Sequence, residues 1–341
     1  MDLVTLRPEG LYCPAGDFYI DPWRAVDRAV ITHAHADHAR SGHRHVLALR
    51  DSEAVLRVRL GARLPFQGLA PGESIEHHGV RVSLHPAGHV LGSAQVRLAH
   101  GGQVWVVSGD YYLSQHDDTN PTCPAFEPVR CDCFITESTF GLPLYRWAPQ
   151  AQVLADINQW WADNAADGCA SVIAAYSFGK AQRLLAGVDA RIGPILVHSS
   201  VAAINQAYHA SGVDLPATAV LDEHTDAAAV RRALVVAPPN TLNSAWAQHL
   251  GPHRTAFASG WMQLRKARQR QHMDRGFALS DHADWPGLQR AIAASGAERI
   301  IVTHGDEAAL LHWLQSQGLR AQTLRTSFGT AEAGEADEAG D

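Results

Sequence analysis

The 341-residue chain predicts an α/β protein, and three observations carry that expectation. Short apolar runs recur along it, each ending in Gly, Asp, His, Ser or Asn: FYID, RAVITH, VRVSLHPAGH, QVWVVSGD, CFITES, SVIAAYS, PILVHSS, ALVVAPPN and RIIVTHGD. Buried strands with polar groups at their C-terminal ends give this pattern. Segments of helical periodicity lie between several of them, including AQVLADINQWWADNA, GKAQRLLAGVDA, SSVAAINQAYHAS and DWPGLQRAIAASGA. From about 146 to 265 the two patterns alternate, as in a doubly wound unit.

The length exceeds the usual size of one domain. The patterns divide the chain into a first part (1–145), an inserted domain (146–265), a return to the first domain (266–329) and an acidic tail (330–341). The tail, TAEAGEADEAGD, holds five acids and no base, and reads as a disordered, solvating end. The formal charge is −7 for the chain and −2 without the tail, so an anionic substrate is not excluded. Five cysteines in an irregular pattern argue for reduced thiols rather than a disulfide framework. Cys131 and Cys133 lie in an apolar, strand-like run, which favours core positions over metal binding. There is no long apolar segment and no signal-peptide profile at the N-terminus, so a cytoplasmic protein with no membrane association is expected.

The densest chemistry lies in VITHAHADHAR, where His33, His35, Asp37 and His38 fall within six positions. On a helix His33 and His35 would point about 200° apart, whereas at the end of an extended strand they project to one side. RAVIT supplies that strand. Asp37 and His38 follow as the chain turns, so one short loop can serve two metal ions. Three further ligand candidates share the strand-end setting: His89 in HPAGHVLGSA, Asp110 in VVSGDYY and His304 in IVTHGDE. Gly88 and Gly92 flank His89 and permit a tight backbone there. A carboxylate such as Asp110 has two oxygens and can bridge two dications. Imidazole and carboxylate without thiolate suit zinc, manganese or iron.

THAHADH resembles the HxHxDH signature of the metallo-β-lactamase fold, and His89, Asp110 and His304 follow in that fold's order. The resemblance implies a four-layer αββα sandwich with two divalent metal ions at one edge. It also implies that Asp21, in FYIDPW, supports the ligands from behind. Three further stretches, ITESTFG with Glu137, LSDHADW with His282 and VTHGDE with His304, are similar to the extra motifs of the β-CASP nucleases. These insert an α/β cap domain between the first two, and the span from 137 to 282 leaves room for it. AGHVLGSA, SGDY and YSFGKAQ also resemble β-CASP sequences, including the endonucleases that cleave messenger RNA before polyadenylation. GLYCPAGDFYIDPW, THAHADHARSGH and SGWMQLRKARQR look most like the bacterial DNA-ligase-associated exonucleases.

The resemblance therefore implies a metal-dependent phosphodiesterase acting as a DNA exonuclease in repair, on single strands or free ends, in functional association with DNA ligase and helicase. An RNA-processing nuclease is the alternative, which nothing in the residues independently excludes. Two metals can activate water and clamp phosphate oxygens, and Asp37 counts as both ligand and catalytic group. The resemblance makes His282 the acid that protonates the leaving oxygen, with Glu137 orienting it; a metal-ligand role is the competing reading of His282.

Several residues are candidates for holding nucleic acid. SVIAAYSFGKAQRLL reads as strand, loop and helix, placing Ser177 and Lys180 where free amides favour an anion; a plain helix cap is the alternative for Ser177. The resemblance gives Ser280 a terminal phosphate. Arg265, Lys266, Arg268, Arg270 and Arg275 form a basic run suited to a nucleic-acid backbone, or simply to a solvated face.

Overall fold

The computed structural model describes residues 2–116, 118–266 and 273–324. The acidic tail, Arg268 and Arg270 lie outside the described residues. The chain forms two compact units, one built from Met1–Arg146 and the segment that starts at His282, the other from Trp147–Asp281. The first unit resumes at His282 rather than at 266, and pairing of the chain explains the difference. The strand Arg275–Phe277 adds in parallel to His253–Ala258 as an edge of the second unit's sheet, taking Arg265, Lys266 and Ser280 with it.

The first unit has two sheets. The six-stranded one runs, in spatial order, Thr5–Arg7, Gly10–Cys13, Phe18–Ile20, Arg28–Val30, His45–Leu49 and Phe66–Leu69. The seven-stranded one runs Arg320–Thr323, Arg299–Gly305, Cys133–Ser138, Gln103–Val107, Ala94–His100, Val80–Pro86 and Ser74–His77. Alternation in the sequence sets which face is covered. Val80, Val82 and Leu84 face the core, opposite Val96 and Leu98 in antiparallel register. These side chains form one apolar cluster with Leu11, Ile20, Val30 and Leu47 of the other sheet, so a single core lies between the two sheets. On the opposite face of the larger sheet, Val106, Phe134, Ile300 and Val302 pack with Leu288, Ile292, Leu310 and Leu314. The last four come from the helices Trp285–Ser295 and Glu307–Ser316.

The second unit is a six-stranded sheet with the order Ala219–Val220, Ile195–Val197, Leu234–Ala237, Ala170–Ala174, His253–Ala258 and Arg275–Phe277, all parallel. Its central strands are apolar on both faces, as a parallel sheet covered on both sides requires. Ile173, Val197 and Val236 pack with Ile157, Trp160 and Trp161 of the helix Gln150–Ala166, while Val172, Leu196 and Val235 pack with Leu221, Val230 and Leu250. Among the described residues no helix is long and apolar enough to cross a membrane.

The helix that follows His282 shows how closely the return segment is fitted. Asp284 caps it by accepting from Gly287 N at 2.9 Å, Pro286 occupies its first turn, and Gly296 ends it in a left-handed conformation. A Cβ added to Gly287 would lie 1.8 Å from the carbonyl oxygen of Leu113. Backbone cannot yield there cheaply, so Gly287→Ala is expected to destabilise the protein by about 1–3 kcal/mol, measured by urea unfolding.

Candidate active site

The strand Arg28–Val30 is extended by Ile31, whose N–H donates to Leu47 O at 2.8 Å, and it delivers Thr32 and His33 to the sheet's edge. The chain then turns: His38 N and Ala39 N both donate to His35 O, at 3.1 and 2.8 Å. This turn separates His33 and His35 from Asp37 and His38, as the spacing predicts.

His89 comes from the loop after Val80–Pro86. Its N–H and that of Val90 donate to Ser93 Oγ, and Asn120 Nδ2 donates to its carbonyl at 2.8 Å. Gly88 and Gly92 have φ of +75° and +73°, and a Cβ on Gly92 would meet the Ser52 backbone at 2.4 Å, so the tight approach expected there is required. Asp110 follows the strand Gln103–Val107. His304 lies within Arg299–Gly305 at φ +53°, a left-handed conformation uncommon outside glycine, and Ser138 Oγ donates to its carbonyl at 2.8 Å.

The predicted ligands converge as two sets. His33, His35, His89 and Asp110 offer ligand atoms within 4.8 Å of one another, and so do Asp37, His38 and His304. Asp110 Oδ2 lies 3.5 Å from His33 Nε2 and 3.4 Å from His38 Nε2, placing one carboxylate beside both sets. Asp110 Oδ1 is buried and makes no hydrogen bond among the described residues.

His35 Nδ1 faces both His33 Nε2 and His89 Nε2, each at 3.1 Å. One proton can bridge only one of these nitrogen pairs, whereas a dication accepts all three lone pairs. The donor set therefore fits a divalent ion, and Asp37, His38 and His304 offer a second set of donors that could hold one. Nitrogen and oxygen donors without sulfur suit zinc, manganese or iron. Cys131 and Cys133 are no part of it: burial pushes both thiols up to about 12.

The charge states agree with this geometry. Burial, and then the neighbouring His38 ring, hold His33 well below its ordinary pKa. His38 is raised well above its own: burial opposes its charge, but Asp37 and Asp110 overcome that. Asp110 is also buried, yet the adjacent His38 holds it well below the usual carboxylate range.

Asp21, placed by the strand Phe18–Ile20 and itself at φ +44°, orients two of the imidazoles. Its carboxylate accepts from Thr32 N at 2.7 Å, Thr32 Oγ1 at 2.5 Å and His38 Nδ1 at 2.8 Å. With its hydroxyl proton given to Asp21, Thr32 accepts from His33 Nδ1 at 3.1 Å. Both imidazoles thus turn Nε2 towards Asp110. Thr32 was not among the expected residues, although its place just before His33 was a signal.

Beside this centre, Glu137 in the strand Cys133–Ser138 faces His282 Nδ1 at 3.0 Å through Oε2. Its other oxygen accepts from Tyr111 N at 2.7 Å, and the Thr139 hydroxyl also donates to Oε2. The His282 ring lies 4.5 Å, centroid to centroid, from that of His89. Asp110, Glu137 and His282 likewise offer ligand atoms within 4.8 Å of one another. The Glu137 oxygens, however, already accept from three donors.

The expected nucleic-acid contacts fall in the second unit. Lys180, expected to hold phosphate, is 2% exposed and its ammonium is paired with Asp281. Ser177 neither caps the helix Lys180–Leu185, whose cap is Gly179, nor stands free, because its hydroxyl is 2.8 Å from that of Ser200. Ser280 is buried, whereas Arg265, Lys266 and Arg275 are exposed.

No protein-family model matches the chain. It is 32% identical over 317 residues to a probable DNA ligase of Opitutus terrae, a match covering 92% of this chain and 30% of the relative. It is 29% identical over 119 residues to cleavage and polyadenylation specificity factor subunit 3 of Dictyostelium discoideum, covering 34% of this chain and 15% of that one. It is also 29% identical over 154 residues to endoribonuclease YSH1 of Mycosarcoma maydis, covering 35% and 17%. The chain thus spans less than a third of the length of these relatives. A crystal structure of a protein of unknown function from Enterococcus faecalis V583 is alike in fold, with a TM-score of 0.55 at 11% identity over 82% of this chain and 74% of that one. The chain is thus similar to stretches of these relatives, and its His/Asp clusters could hold metal ions.

Asp37→Ala or His38→Ala is expected to lower metal content from two ions towards one per chain by elemental analysis. Asp21→Ala should retain both sites but weaken metal affinity about 10- to 100-fold, measured by competition with a chromogenic chelator.

Proposed function

We propose that the protein is a two-metal DNA exonuclease in which His282 protonates the leaving oxygen. The observation that carries this reading is the Glu137–His282 pair beside the two ligand sets, since a bare metal site for small substrates has no need of it. The packed sheets of the first unit are read as the four-layer αββα sandwich, and the second unit as the inserted cap.

Divalent ions held by His33, His35, His89 and Asp110, and by Asp37, His38, His304 and Asp110, would supply Lewis acidity to the phosphate and a water acidic enough to attack at neutral pH. The chain's own residues do the rest. Glu137 accepts from His282 Nδ1, which fixes the ring and stabilises its protonated form, leaving Nε2 as the donor. Asp21 and Thr32 hold His33 and His38 in orientation. Arg265, Lys266 and Arg275 offer exposed charge to a phosphate backbone.

DNA is favoured over RNA because the relative that matches nearly the whole chain is a probable DNA ligase, whereas the endoribonuclease matches cover about a third of it. That relative is also the basis for a functional association with a DNA ligase. Helicase association, exonuclease mode, a cytoplasmic place and a repair role rest on the motif resemblance. An RNA nuclease is the second reading, favoured by the endoribonuclease relatives. Digestion of matched labelled DNA and RNA strands decides between them, with faster loss of terminal nucleotides from DNA expected.

His282→Ala is expected to keep both metals and bind single-stranded DNA, yet cleave it about 10² to 10⁴ times more slowly. A nitrophenyl phosphodiester, whose leaving group needs no proton, should be far less affected. Equal losses on both substrates, or loss of a metal, would contradict the acid role. Chelation should abolish activity and Mn²⁺ or Zn²⁺ restore part of it; activity that survives verified metal removal would contradict the metal mechanism.

A further inference from the structure

One buried charge pair in the second unit has no part in the chemistry above. Lys180 Nζ and Asp281 Oδ1 are in direct contact, with side chains 3% and 5% exposed. Desolvation of two ions offsets much of their attraction, so such a pair adds little stability over an apolar pair of similar shape. Its best-attested use is to specify one arrangement over others.

The surroundings of Lys180 are built to hold it. Gly179, at φ +84°, donates its N–H to Gln182 Oε1 at 2.8 Å. Gln182 Nε2 in turn donates to Ser177 O at 2.9 Å and to Asn205 Oδ1 at 2.8 Å. All six residues of the helix Lys180–Leu185 are buried. This closed network fixes the backbone from which the ammonium reaches Asp281. Asp281 is the last residue of the second unit before the chain returns, and the next residue is His282. Holding the Asp281 carboxylate limits the backbone torsions that deliver the His282 ring.

We propose that the Lys180–Asp281 pair is a positioning device for His282: a buried ion pair, anchored by the Gln182 network, that sets where the proton donor of the first unit begins. The inference rests on the reading of His282 given above, and it makes Lys180 and Asp281 positioning residues that touch no substrate. A misplacement of about 1 Å at a reacting group can cost on the order of 10²-fold in rate, so the pair has enough leverage to matter.

The test compares Lys180→Met, Lys180→Met/Asp281→Asn and His282→Ala in the full-length, metal-loaded protein, on DNA and on a nitrophenyl phosphodiester. The double variant carries no buried charge at the pair and is expected to fold, judged by its melting temperature and metal content. The pair variants should lose about 10- to 100-fold on DNA and reproduce, at smaller size, whatever preference between the two substrates His282→Ala shows. If His282→Ala shows no preference, the acid assignment fails, yet the pair variants must still follow its pattern. A folded double variant that cleaves DNA at the wild-type rate overturns the inference. So does a pattern that departs from that of His282→Ala. Loss of folding in both pair variants would assign the pair to stability and equally overturn it.

Discussion

The candidate site of the first unit is organised around one carboxylate. Asp110 is buried, lies within 3.5 Å of ring nitrogens from two different ligand groups, and has an oxygen with no hydrogen bond among the described residues. An anion in that position is costly unless positive charge surrounds it. The adjacent His38 ring holds Asp110 well below the usual carboxylate range, and Asp37 first, then Asp110, raise His38 against its burial. Divalent ions would supply positive charge more fully and would satisfy the converging imidazole nitrogens that one proton cannot.

Holding so many like groups together takes support from the fold. The ligands come from loops at the ends of strands in both sheets, and the shared apolar core brings those ends together. Part of what must be supported is backbone strain: among the described residues Asp21 and His304 are two of four non-glycine residues with positive φ, and both bear on the centre. Such conformations cost on the order of 1–3 kcal/mol each and persist where the surroundings over-determine them. The Asp21–Thr32 hydrogen bonds are that surrounding for two ligands at once. The Glu137–His282 pair shows a different dependence, because 145 positions of chain separate its members and the whole second unit lies between them.

Much of this was legible in the sequence where function and local pattern coincide. HAHADH gathers four candidate ligands in one turn, and the strand-end positions of His89, Asp110 and His304 follow from apolar runs that stop at a polar residue. The α/β class and the parallel sheet of the second unit follow from the same runs. The return point was not legible, because Arg275–Phe277 is too short and too polar to read as a strand; its place depends on pairing with His253–Ala258. The pairing of Lys180 is hidden from the sequence for a similar reason. A lysine after Ser-Phe-Gly looks like an anion site, and only tertiary structure brings it to a carboxylate 101 positions away. Thr32 was overlooked because a hydroxyl beside a ligand has no periodic signature.

The most direct test of the shared-carboxylate account is metal binding by Asp110→Ala, followed by calorimetric titration of the ion-free protein with Zn²⁺ or Mn²⁺. The account predicts that both binding events weaken together, because one carboxylate serves both groups, while the fold survives as judged by its melting temperature. Retention of one ion at wild-type affinity would contradict it and confine Asp110 to a single site.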